Sequence, residues 1–118
     1  MDERRVKPRW QINQRAELTV EDGVRSIPCL VEDISTRGMR ISLNRELFPE
    51  AFSSFNLTLR QDFGFSVGAQ VAWHDKAYER SIYGLSFNRI EESVQDEISE
   101  YIKDNFPEEL VKQWWKGT

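Results

Sequence analysis

Phe63-Gly64-Phe65-Ser66-Val67-Gly68-Ala69-Gln70-Val71-Ala72-Trp73 decides the fold class of this 118-residue chain. Its large apolar residues stand at every second position, six times in succession. Only an extended strand puts such positions on one face, because side chains alternate along a strand and rotate by about 100° per residue on a helix. The stretch therefore predicts a long half-buried strand with Phe63, Phe65, Val67, Ala69, Val71 and Trp73 facing the core.

The same period continues on both sides. Phe55, Leu57 and Leu59 precede it, and Tyr83, Leu85 and Phe87 follow. Nearer the N-terminus stand Met39, Ile41 and Leu43, then the run Ile27 to Val31 ending at Asp33, then Ala16, Leu18 and Val20. Asp22-Gly23 is a hairpin-turn signal between the first two strands. Six short strands in so small a chain predict an antiparallel barrel or sandwich. After Ile90 the period changes. Val94, Ile98, Tyr101 and Ile102 share one helical face. Ser93 is placed to cap this helix, with Asp96 completing a box-like start. Pro107 ends or kinks it, and a second short helix carries Leu110, Val111, Trp114 and Trp115. The two tryptophans pack on the barrel or the first helix, whereas an exposed pair would mark a partner surface. The expected organisation is one domain: an arginine-rich arm at 1–10, a β-domain at 10–90 and a C-terminal helical segment at 91–118.

Charge is unevenly spread. Arg4, Arg5, Lys7, Arg9 and Arg15 outweigh Asp2 and Glu3, so the first fifteen residues carry +3 of a total of −4 and the remainder holds −7. A general nucleic-acid binder needs a broad basic face, which this acidic body lacks. One local anion site beside a basic arm fits better. No apolar run is long enough to insert in a membrane, and the charged start has no signal-peptide character, so a cytoplasmic location is expected. Cys29 is the sole cysteine and excludes an intrachain disulfide; it reads as a small buried hydrophobe. His74 has no metal-ligating companions, and no nucleophile with its base is visible, so neither a metal site nor catalysis is expected.

Two local motifs carry chemistry. In Arg5-Val6-Lys7-Pro8-Arg9 the proline disfavours helix, so the arm is expected to be extended and mobile when empty. The planar guanidinium fork suits phosphate oxygens and the O6/N7 edge of guanine equally. In Asp33-Ile34-Ser35-Thr36-Arg37-Gly38, Asp33 and Ser35 project to one side of a strand end while Ile34 points inward. Gly38 is expected to allow a positive φ in the turn. A carboxylate can accept from guanine N1 and N2, and a hydroxyl can donate to phosphate. A solvated basic tail and an ordinary polar turn would use the same residues. Trp73 could offer a flat face to a purine or serve as a core or rim aromatic.

Together, Arg5-x-x-x-Arg9 followed by Asp33-x-Ser35-x-x-Gly38, with Tyr83-Gly84-Leu85-Ser86-Phe87 as a last strand, resembles the PilZ domain family. The resemblance runs from Arg4 to about Ile102. It implies a six-stranded antiparallel β-barrel with a C-terminal helix, binding cyclic di-GMP on its outside under the arginine arm. It further implies Arg5 and Arg9 on guanine edges and phosphates, Asp33 on a guanine edge, Ser35 on phosphate, and Gly38 letting the backbone approach. Arg4 looks like the residue of members that take a stacked pair of nucleotides, two molecules per chain. The expected function is a non-enzymatic receptor without cofactor, signalling to an unidentified downstream protein. The competing reading is a protein-interaction adaptor of the same fold that binds no nucleotide.

Overall fold

The alternating stretches become six strands in the computed structural model, which describes residues 9–20, 26–60 and 63–116, without side chains at 60 and 113–116. The strands are β1 Trp10–Val20, β2 Ser26–Ile34, β3 Gly38–Leu43, β4 Phe55–Arg60, β5 Phe63–Ala77 and β6 Arg80–Arg89. All neighbours are antiparallel, in the closed order β1-β2-β3-β6-β5-β4. Pairing of β1 with β4, from Glu17–Thr58 to Val20–Phe55, completes the ring. Closure leaves no unpaired strand edge along the paired stretch, which removes the usual route to edge-to-edge aggregation.

Inward residues of each strand fill the barrel. Leu18, Val31, Ile41, Leu43 and Leu57 are fully buried. One end is plugged by a 3₁₀ turn, Pro49–Phe52, whose Phe52 ring packs against Phe55 and Tyr83. The Tyr83 hydroxyl donates to the Leu47 carbonyl at 3.0 Å and accepts the Leu47 N–H at 2.9 Å, which ties the loop to the core without leaving a buried polar group unpaired. The helices α1 (Glu92–Asn105) and α2 (Pro107–Lys116) follow. Ile98, Tyr101 and Ile102 are the buried face of α1, as the spacing predicts. Tyr101 stacks on Phe63 with ring centroids 4.4 Å apart. Pro107 is the first residue of α2, where its missing N–H costs nothing.

Three expectations are corrected. The inward face of β5 does not reach Trp73. The pairing with β6 slips between Val71 and Trp73, so Ala72 is an extra residue and Trp73 emerges on the outside. The strand itself continues to Ala77. Helix α1 starts at Glu92 with Glu91 as its cap residue, and no side chain caps it. Ser93 lies inside the first turn, because the end of β6 fixes where the chain enters the helix. Gly38 is required for space rather than for a positive φ: a Cβ there would sit 2.2 Å from the Leu85 carbonyl oxygen. The Asp22-Gly23 turn, Arg4, Arg5 and the rest of the arm before Arg9, and the side chains of Trp114 and Trp115 lie outside the described residues.

Candidate functional site

The site residues meet on the outer wall of the barrel where β1 begins and β2 ends. Asp33 should by simple alternation be opposed in direction to Glu32. Instead the β2–β3 register slips between Val31 and Asp33, and Glu32 is the extra residue. Val31 and Ile34 are buried in the core on either side of it. The bulge therefore turns two consecutive carboxylates, Glu32 and Asp33, toward the outer face, where both meet Arg40.

Arg9, immediately before β1, pairs through Nη1 with Asp33 Oδ1 at 2.5 Å. Its side chain is half exposed while that of Asp33 is only 10% exposed. Arg40, on β3, brings Nη2 to 3.2 Å from Asp33 Oδ2. Its Nε lies 3.1 Å from Glu32 Oε1, a charge contact rather than an aligned hydrogen bond. Asp33 is thus gripped through both oxygens by two different guanidiniums. Within this quartet the charges cancel, and Arg37 stands exposed in the adjoining turn.

Ser35 closes the turn that follows β2. Its Oγ accepts N–H donors from Arg37 at 3.0 Å and Gly38 at 3.1 Å, while its backbone N–H donates to the Gly38 carbonyl at 2.8 Å. The hydroxyl is buried and engaged in the turn, with its own proton directed to the Gly38 carbonyl at 3.3 Å. Two further elements brace this turn. The Phe87 N–H donates to the Arg37 carbonyl at 2.8 Å, and Gln95 Nε2 on α1 donates to the Thr36 carbonyl at 3.1 Å.

Cross-strand register extends the site sideways. Gln11, Asp33, Arg40, Gly84 and Trp73 are successive partners across β1, β2, β3, β6 and β5. The row reads amide, carboxylate, guanidinium, bare backbone, indole. Gly84 is bare for a reason: a Cβ there would lie 2.2 Å from Trp73 Nε1, so the indole rests on the glycine. Trp73 nevertheless stays 45% exposed. At roughly 4.8 Å per strand, Asp33 and Trp73 are three steps or about 14 Å apart. The row combines an acceptor pair, cations and a flat aromatic face, the elements that recognise a purine edge, a phosphate and a base plane.

Of the residues expected from sequence, Arg9, Asp33, Ser35 and Gly38 come together here, and Trp73 joins them along the row. Arg40 and Gln95 were not expected. Arg40 was legible as an outward position between Met39 and Ile41, but its link to Asp33 depends on pairing. Nothing local marks Gln95. Among the described residues no group of three or more His, Cys, Asp or Glu is arranged to hold a metal ion.

The sequence profile described as the PilZ domain matches residues 3–104. No curated protein matches the chain in sequence. In structure the chain is similar to the PilZ domain of YcgR from Escherichia coli, solved with c-di-GMP: TM-score 0.68, 16% identity, 94% of this chain and 98% of that one covered. It is also similar to YcgR of Escherichia coli in complex with c-di-GMP, with TM-score 0.67 and 16% identity over 98% of this chain. There it spans only 51% of the other chain, about half its length. At this identity the likeness is one of fold.

Proposed function

The chain belongs to the PilZ domain family, and we propose that it is a non-enzymatic receptor for cyclic di-GMP that needs no cofactor. The observation that carries the reading is the meeting of Arg9 with Asp33 beside the Ser35 turn, 24 residues apart in sequence. These are the second arginine of one motif and the first residue of the other.

Charge explains why an arm is needed. Arg9 and Arg40 are balanced by Glu32 and Asp33 on the wall. Arg4, Arg5 and Lys7 before Arg9, with the exposed Arg37 of the turn, are the cations that attract a ligand with two phosphates. In this proposal Arg9 leaves Asp33 for phosphate and Arg5 clasps a guanine edge or phosphate. Asp33 then accepts from guanine N1 and N2, and Trp73 supplies a stacking face. Gly38 lets the backbone approach closely. Ser35 reaches phosphate only by turning its proton away from the Gly38 carbonyl. Arg4 stacks with a second nucleotide, giving two molecules per chain. Ordering the arm before Arg9 costs conformational entropy, which several charge-assisted contacts offset.

The changed surface then signals to a downstream protein from the bacterial cytoplasm. The arm, the barrel at 10–90 and the helices at 91–118 act as one domain in this scheme. Among the described residues no helix is long and apolar enough to cross a membrane.

Calorimetric titration with cyclic di-GMP, with GTP and the linear dinucleotide as controls, tests the reading. The expected result is saturable binding of the cyclic ligand alone, near two per chain, with slower amide exchange over residues 2–10. Equal binding of the controls, or none of the cyclic ligand, overturns it.

A further inference from the structure

We propose that Arg40 is a positioning residue that holds Asp33 for a guanine edge, with Glu32 as its anchor. The inference rests on the cyclic di-GMP reading above. Three features of the wall lead to it.

First, the bulge at Glu32 has a consequence beyond local twist. A regular strand would send Glu32 and Asp33 to opposite faces, since adjacent side chains alternate. With the slip, both carboxylates reach Arg40 from consecutive positions, one at Nε and one at Nη2. The guanidinium thereby spreads its charge over two carboxylates, one near Nε and one near Nη2, which the point charge of a lysine cannot reproduce.

Second, the two arginines on Asp33 are not equivalent. Arg9 precedes β1, is half exposed and belongs to the arm motif. Arg40 is the cross-strand partner of Asp33 in the closed sheet, with its side chain 36% exposed. When Arg9 turns to phosphate, Asp33 Oδ1 is released and Oδ2 keeps its cation. A carboxylate has about four lone-pair sites, so one contact at Oδ2 leaves room for both N1–H and N2–H of guanine. Without Arg40 the freed carboxylate would lose both its neutralising charge and the contact that fixes its plane.

Third, the row beyond Arg40 leaves it no other acid. Its next cross-strand partner is Gly84, which carries no side chain and is covered by the Trp73 indole. Arg40 therefore stands in the row between the two carboxylates and the Gly84 position that Trp73 covers.

The test compares cyclic di-GMP with its inosine analogue, which lacks the N2 amine, on the parent, Arg40→Met, Arg40→Lys and Glu32→Gln. The parent is expected to prefer the guanine ligand by roughly tenfold, one charge-assisted hydrogen bond's worth. Arg40→Met is expected to weaken cyclic di-GMP about tenfold and to shrink the guanine preference below about threefold, because Asp33 is no longer held to read N2. Arg40→Lys should regain part of the affinity and little of the preference. Glu32→Gln keeps the wall intact and should reduce the preference in the same direction, so the inference does not hang on one variant's folding. Weaker binding with an unchanged preference would make Arg40 a plain cation and overturn the proposal, as would unchanged binding. A parent that ignores cyclic di-GMP removes the receptor reading and this inference with it. A binding parent with indifferent variants removes this inference alone.

Discussion

Gly38 and Gly84 carry the same nominal clash, and their alanine variants should nevertheless behave oppositely. In both, a Cβ would stand 2.2 Å from its nearest neighbour. At Gly38 that neighbour is the Leu85 carbonyl oxygen, with the Leu85 carbon at 3.3 Å, all backbone of the paired strand β6. Relief requires β3 and β6 to part where the sheet is closed. It also disturbs the Ser35 N–H bond to the Gly38 carbonyl and the Phe87 N–H bond to the Arg37 carbonyl. Overpacking costs about 1–3 kcal/mol and each of the two weakened bonds about 1 kcal/mol, so Gly38→Ala should lose roughly 3–5 kcal/mol. At about 4 °C per kcal/mol for a domain of this size, the melting temperature should fall by roughly 12–20 °C. At Gly84 the three nearest atoms all belong to the Trp73 indole. That ring is 45% exposed and can swing off the sheet, giving up only part of its contact area. The cost there should be about 1 kcal/mol, or roughly 4 °C. Thermal denaturation of the two variants beside the parent, followed by circular dichroism, measures the difference. Gly84→Ala should then bind cyclic di-GMP more weakly while folding almost normally, because its stacking face has moved. A Gly38→Ala protein melting within a few degrees of the parent, or a Gly84→Ala protein less stable than Gly38→Ala, would refute the distinction between backbone and side-chain neighbours.

Other outcomes follow from the same wall. Arg9→Ala should weaken cyclic di-GMP by about ten- to a hundredfold, the worth of one or two charge-assisted bonds, by isothermal titration. Its melting temperature should fall by no more than about 4 °C, because Arg9 is half exposed, such a pair contributes about 1 kcal/mol, and Asp33 keeps Arg40. Asp33→Ala removes a negative charge and should still bind the anionic ligand less well at both low and high salt; tighter binding at low salt would assign Asp33 an electrostatic rather than a recognition role. Burial pushes the Cys29 thiol up to about 12, with Glu17 adding to the rise and Arg80 opposing it. The folded protein should therefore resist iodoacetamide at pH 8 and react only when unfolded. Because the folded value is the raised one, this group's contribution is complete below the ordinary thiol range and is lost as pH climbs toward 12, so denaturant midpoints should fall over that interval.

Alternation is a local property, so the sequence alone determined six strands, their inward residues up to the bulge before Trp73, and the apolar face of α1. Residue type and spacing also single out Arg9, Asp33, Ser35 and Gly38, which the fold brings together where β1 begins and β2 ends. The hydroxyl of Ser35, however, is committed to the Arg37 and Gly38 N–H groups, and only the folded turn shows that. The outward turn of Trp73 and the pairing of Glu32 with Asp33 were not legible either. Both come from bulges, and a bulge is a mismatch in residue count between two strands, which neither strand carries by itself. The same holds for Gly38, whose need for a bare α-carbon lies in a carbonyl 47 residues away. Arg40 reaches Asp33 across the β2–β3 pairing, and Gln95 reaches the turn from a helix 59 residues on. Such partners are chosen by closure of the barrel, because long-range pairing sets which side chains share a wall, while local sequence sets only which side of a strand they occupy.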